Sequence, residues 1–272
     1  MAEKKKPNEM TFLDHLEELR WILVRSAVAV LISAIVVYFF ADWIFDKVIF
    51  GPTDVNFITY RFFCDLSHKL GFADSICVTE MPFIIQNTQM EGQVNIFVWI
   101  CVLGGFILSF PYILLQFWNF ISPALYEKER KNAKGFIVVS SLLFFLGILF
   151  GYYVVVPMSV NFLASFSVST IVKNQFSIES YMSMFKTSVI AAGLYFELPI
   201  IIYFLSRLGL VTPQFLRKYR KWGVVIILII AAIVTPPDVV SQVIVAVPML
   251  GIYELSILIS AFVTRKKLKE NV

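Results

Sequence analysis

Apolar residues recur in long unbroken runs separated by short polar segments, and the polar residues inside those runs are few. Runs of this kind predict membrane-spanning helices, because about 20 consecutive apolar residues are needed to cross a hydrocarbon core of roughly 30 Å. Six such stretches are read, at 22–42, 93–115, 135–157, 184–206, 222–235 and 239–263. The fifth is short: about fourteen residues make roughly 21 Å of helix, so either the bilayer thins locally or the helix extends through Tyr219 to Lys221 with snorkelling side chains. The expected fold is all-α, a single membrane domain over 1–272 with basic tails at 1–10 and 264–272.

Composition agrees with a polytopic membrane protein, with 58% hydrophobic and 15% charged residues. The first run follows a polar segment and shows no Ala-x-Ala cleavage pattern, so it is expected to be retained. Of the 23 Lys and Arg, all but Lys47, Arg61, Lys69, Lys173 and Lys186 flank the spans on one side. By the positive-inside rule that side is the cytoplasm, and both termini are expected there.

Ahead of the first span, TFLD at 11–14 fits a capping box. Leu16, Leu19 and Leu23 then share one helical face, with Asp14, Glu18 and Arg25 near the opposite one, as in a helix lying at the interface before it enters the bilayer. The loop between spans one and two carries several acidic residues together with Cys64 and Cys77. On this topology it faces an oxidising compartment, and the two cysteines either close a disulfide or stand as separate thiols. Cys101, inside span two, reads as a small core residue. TPPDV at 235–239 stops the fifth span and turns the chain sharply.

Glu197 falls near the middle of span four, where a charge costs about 2.5 to 3.5 kcal/mol on insertion scales. Such a carboxyl is either a functional group or a buried structural hydrogen-bonding partner. The chain has no Walker loop, no GxSxG elbow and no HExxH pair, and only two histidines, His15 and His68, so an enzyme is not expected.

Four segments together resemble the TatC family of the twin-arginine protein translocase: FLDHLEELR at 12–20, FWNFISPALYEKER at 117–130, FELP at 196–199 and TPPDVVSQ at 235–242. The resemblance extends over nearly the whole chain. It implies six helices in a concave, glove-like arrangement and a cytoplasmic site for the twin-arginine signal peptides of folded cargo. Glu18 and Glu129 match the two carboxylates of that site, with Arg20, Leu16, Gln116, Phe120 and Tyr126 close to it. The chemistry suits the role, since guanidinium groups pair with carboxylates in a fork that Lys cannot reproduce. The residues by themselves also allow Glu18 as an exposed helix carboxylate and Glu129 as a local partner of Arg130 or Lys131.

The resemblance further implies docking of TatA/TatB-type single-span subunits around Thr235, Asp238 and Gln242, where a helix cap and an internal hydrogen bond are the plainer alternatives. Pro52, Pro123 and Pro236 are expected to be structural. Self-association in a receptor complex and use of the proton-motive force also follow from the family, while no cofactor, metal or nucleic acid is implied. Two rival readings stand beside it. One is a proton-coupled transporter built on Glu197 and Glu254, and the other is an assembly platform that binds no peptide. The first outer loop departs from the family pattern, with residues 56–80 lacking a clear counterpart.

Overall fold

A backbone in hydrocarbon has no water to bond and must satisfy its own N–H and C=O groups, so the apolar runs become helices. The computed structural model describes residues 12–70, 77, 78, 80–121, 133–169, 171, 173–235 and 238–270. Its helices are α1 (Phe12–Phe39), α2 (Ile58–Leu70), α3 (Gly92–Ile121), α4 (Ala133–Phe150), α5 (Val156–Ser165), α6 (Ile178–Phe196), α7 (Leu198–Leu208), α8 (Pro213–Lys218), α9 (Arg220–Val234) and α10 (Val239–Glu270). Among the described residues, five segments are long and apolar enough to cross a membrane: Leu16–Phe39, Gly92–Phe120, Gly135–Ser165, Ile178–Leu208 and Ser241–Lys266. The fifth expected span is α9, which at 15 residues stays short of that length.

Several expectations shift. The segment ahead of span one is not a separate interfacial helix; it runs into the span as one 28-residue helix. The basic stretch after span six, expected as a tail, continues α10 as far as Glu270. The fold is also not purely helical. Strands β1 (Phe83–Gln86) and β2 (Asn174–Ser177) pair in parallel, Phe83 opposite Asn174 and Gln86 opposite Ser177. Their rings Phe83 and Phe176 lie 5.4 Å apart, so this small pair is held by side-chain contact as well as by its ladder. The capping box at Thr11 and the tail at 1–10 lie outside the described residues.

The chain falls into two compact units, Met1–Ile44 with Val94–Leu142, and Phe45–Gln93 with Leu143–Val272. In the first, α1 and α3 run antiparallel at close approach. A Cβ at Gly105 would stand 2.6 Å from the Val30 carbonyl oxygen and 2.7 Å from the Ala34 nitrogen, and one at Gly104 would stand 3.0 Å from the Val37 methyls. Small residues at such a crossing let two backbones meet, which is how helices gain packing energy in lipid.

The second unit is knitted by side chains that reach backbone groups. Tyr60 of α2 donates toward the carbonyls of Pro52 (2.8 Å) and Pro157 (3.0 Å), and burial pushes its hydroxyl pKa up, so it stays a donor. Thr59 donates to the Tyr153 carbonyl at 2.5 Å, and Tyr181 reaches the Ile49 carbonyl. Deeper in, Tyr195 donates to Met249 (2.9 Å), Tyr253 to Leu216 (3.1 Å) and Ser206 to Ser260 (2.7 Å). Around them pack Val155, Phe196, Ile202, Ile227, Val245 and Ile257. The α7 helix ends at Gly209, whose φ of 81° lets the Leu210 and Val211 amides turn back onto the Leu205 carbonyl.

Cys64 and Cys77 are joined as a disulfide, which resolves the choice left open above. Cys101 is buried in α3.

Candidate functional site

On α1 the residues that turn inward are Glu18, Ile22, Ser26, Val30, Ala34 and Val37, spaced at three or four. Ile22, Ala34 and Val37 are buried. This is the protein-facing stripe of a helix of 3.6 residues per turn, and among the described side chains Glu18 is its first member. Its neighbours Leu16, Glu17 and Arg20 are exposed, while Glu18 is half-buried. Of Leu16, Leu19 and Leu23, the apolar face expected from the sequence, Leu16 and Leu23 are exposed and Leu19 is half-buried.

The antiparallel crossing fixes what lies at the same end. Tyr38 of α1 meets Phe97 of α3 with ring centroids 5.6 Å apart, and lower numbers on α1 pair with higher numbers on α3, as Val30 does with Gly105. Followed outward, this register sets Glu18 and Arg20 at the end of the pair where α3 carries Gln116 and Phe120. Gln116 is buried, 7% exposed, and Phe120 is half-buried. The buried amide of Gln116 and the half-buried carboxylate of Glu18 thus belong to the same end of the α1–α3 pair.

Trp118, which the sequence reading did not single out, is buried and stacks on Phe136 of α4 at 4.7 Å. The stack brackets 122–132, tying the end of α3 to the start of α4. A tryptophan in FWNF flanked by aromatics was the available signal. Pro123, Tyr126 and Glu129 lie within that bracketed stretch and outside the described residues, as does Pro236.

In the second unit, Glu197 is buried, 8% exposed. It is not inside an unbroken span: it sits at the joint between α6 and α7. Pro199 lacks an N–H and cannot continue the ladder, so the Glu197 amide bonds back to Leu194 (3.2 Å) and its carbonyl receives Ile200 and Ile201 (both 3.0 Å).

Near the turn between α9 and α10, each candidate has a local partner. Thr235 donates to the Ala231 carbonyl at 2.8 Å, Asp238 accepts from the Ser241 amide at 2.7 Å as an N-cap of α10, and Gln242 donates to the Leu228 carbonyl of α9 at 3.1 Å. Pro52 is buried in a single 3₁₀ turn, Gly51–Thr53. Glu254 forms an ion pair with Arg220 at 2.7 Å, each side chain about half exposed.

These features define a multi-pass helical membrane protein with a shielded carboxylate at one end of its first span. Residues 14–248 match the pattern of the family "Sec-independent protein translocase protein (TatC)". The chain is 43% identical over 269 residues to the Sec-independent protein translocase protein TatC of Blattabacterium sp. subsp. Periplaneta americana, covering 97% of this chain and 100% of the relative. It is 34% identical to the TatC of Aquifex aeolicus over 263 residues, covering 95% and 98%. Among solved structures it is similar to the "Crystal Structure of Twin Arginine Translocase Receptor- TatC", with a TM-score of 0.69 and 32% identity over 92% of this chain and 99% of that one. The chain belongs to the TatC family and is a transport subunit of the Sec-independent translocase.

Proposed function

We propose that this protein is the membrane receptor for twin-arginine signal peptides and that Glu18, together with Glu129, receives the two guanidinium groups. The observation that carries the proposal is the position of Glu18 in the packed stripe of α1, half-shielded, at the end of α3 where Gln116 is buried. A carboxylate so placed is desolvated enough to make a paired, charge-assisted hydrogen bond strong, yet open enough for an incoming peptide. In this reading Leu16, Arg20, Phe120 and Tyr126 form the rim of the site. Arg20 serves to orient Glu17 or to meet lipid phosphate, since it would repel the ligand.

The same reading takes six spans in a concave arrangement, with α9 the short fifth, and both termini in the cytoplasm. Thr235, Asp238 and Gln242 form the docking region for small single-span partners. Self-association and the proton-motive force complete the cycle of folded-protein export. The Arg220–Glu254 pair argues against the transporter alternative, because it occupies one of the two carboxylates that alternative needs.

Site-specific crosslinking of a twin-arginine signal peptide in membranes tests the receptor role. Charge-assisted hydrogen bonds are worth about 1.5–3 kcal/mol each, so Glu18→Ala, Glu129→Ala and an Arg-to-Lys peptide should each lose about 10- to 100-fold in crosslinking. Equal crosslinking of wild type and variants, or of Arg and Lys peptides, would sink the assignment.

A further inference from the structure

Helix α2 is built from the part of the first outer loop that lacks a clear counterpart in the family pattern, and its surface divides into three strips. Thr59, Tyr60 and Ser67 are buried and Phe63 is half-buried, so this strip meets the protein. Arg61, Asp65 and Lys69 recur every fourth residue and are exposed. Ile58, Phe62 and Leu66 recur in the same way on the third strip, and they are 64%, 61% and 38% exposed. At about 100° of turn per residue the apolar and charged strips lie side by side, both away from the buried one.

Where α2 is moored says what covers the apolar strip. Its first turn is fixed to the third span. Thr59 donates to the Tyr153 carbonyl at 2.5 Å, a group to which Pro157, four residues on, has no N–H to give. Tyr60 donates to the Pro157 carbonyl at 3.0 Å. Both mooring points lie inside the segment Gly135–Ser165, short of its end, so α2 starts beside a membrane-crossing helix and not beyond it. Phe57, next to the strip, stacks on the Tyr153 ring with centroids 5.8 Å apart. Along that span Leu146, Leu149 and Tyr153 are exposed at spacings of three and four, which is its lipid face. The strip of α2 takes up where that face leaves off.

We propose that α2 lies in the membrane–water interface, with Ile58, Phe62 and Leu66 set among the acyl chains of the adjoining leaflet and Arg61, Asp65 and Lys69 among its headgroups. The occupant of the apolar strip is phospholipid. Helices that pack on one another in a bilayer do so through small residues, and this strip has only large ones. An apolar strip running beside a charged one is the division that a helix at a lipid surface needs, and the cations of Arg61 and Lys69 suit lipid phosphate. The loop particular to this chain then belongs to the bilayer surface and does not stand free of it.

The test places p-benzoylphenylalanine, a photoactivated crosslinker that inserts into C–H bonds, at single positions of the full chain reconstituted in phospholipid vesicles, with adducts weighed by mass spectrometry. Leu149 of the third span sets the value for full lipid contact. The crosslinker at Ile58, Phe62 or Leu66 should give phospholipid adducts within about threefold of that value, and at Arg61, Asp65 or Lys69 about fivefold fewer than on the apolar strip. Phe62 and Leu66 lie away from the mooring bonds, so their replacement leaves the fold intact, which an unreduced digest containing the Cys64–Cys77 bond verifies. Absence of lipid adducts at both Phe62 and Leu66 would overturn the proposal. So would equal adducts from the apolar and charged strips, or a chain-to-chain adduct at twice the mass in place of lipid. The signal-peptide reading concerns the other unit, and neither result bears on it.

Discussion

Glu18 and Glu197 are the same residue in two different backbone settings. The first unit places Glu18 on an uninterrupted helix whose backbone groups are closed within the helix, in a stripe that leaves its carboxylate partly exposed. The second unit places Glu197 at a proline-forced joint, buried, with its own main chain closing the ends of α6 and α7. Glu18 on a continuous helix keeps its carboxylate partly open, while at the joint the Glu197 main chain makes the closing bonds and the side chain is buried. The units also close their packing differently. The first relies on glycines that let α1 and α3 touch, and the second adds hydroxyl donors that span between segments.

The largest expected effect tests the crossings. Gly105→Val pushes a side chain into the α1 backbone, where neither the Val30 oxygen at 2.6 Å nor the Ala34 nitrogen at 2.7 Å can yield. Gly147→Val does the same to α6, whose Ala192 oxygen lies 2.6 Å from the added carbon. Each should cost about 3 kcal/mol, the upper range for overpacking, read as a lower melting temperature in detergent. Gly135→Val, with nothing within 4 Å, should change little. If Gly135 and Gly105 variants melt alike, the close crossing is not what holds the first unit.

Next comes the contrast between the two carboxylates. Glu18→Gln should lower signal-peptide crosslinking about tenfold or more and leave melting unchanged. Glu197→Leu should act in the opposite sense, lowering melting while the peptide still crosslinks. A Glu197 variant that loses crosslinking at wild-type stability would erase the distinction drawn here and make it part of the peptide site.

Tyr195→Phe and Tyr253→Phe then sharpen the account of the second unit. Each removes a hydroxyl donor from a carbonyl, Met249 or Leu216, and should cost about 0.5 to 1.5 kcal/mol in a melt. A change in melting no larger than experimental error for either variant would mean that its hydroxyl bond does not hold the second unit.

What could be read from the chain depended on whether the cause was local. The long helices were legible because a lipid-facing backbone has so few solutions. The break beside Glu197 was only half legible: Pro199 announces it, but a hydropathy run conceals it. The pairing of Phe83–Gln86 with Asn174–Ser177 was not legible, because two four-residue strands far apart in sequence carry no period of their own. The Cys64–Cys77 bond stayed open for the same reason, since connectivity is a distance in space. For the candidate site, Glu18, Gln116 and Phe120 were named from the chain, but not the clamp of Trp118 on Phe136 that brackets the rest. A stack between two helices is set by tertiary packing.

The smallest effect belongs to Arg220 and Glu254. At 2.7 Å the pair has good geometry, but both side chains are about half exposed. Where such a pair meets the membrane–water interface, water and salt screen most of the attraction, and it is worth about 0 to 1 kcal/mol. Glu254→Gln should shift melting by less than the tyrosine variants do, and the difference should vanish at about 1 M salt, where the screening length falls to about 3 Å. The same variant decides a functional question. If Glu254 carried protons or substrate, Glu254→Gln would abolish export at any ionic strength, whereas a surface ion pair predicts export close to wild type. A half-exposed carboxylate that an arginine already neutralises has little reason to do more than hold the start of α9 against the middle of α10.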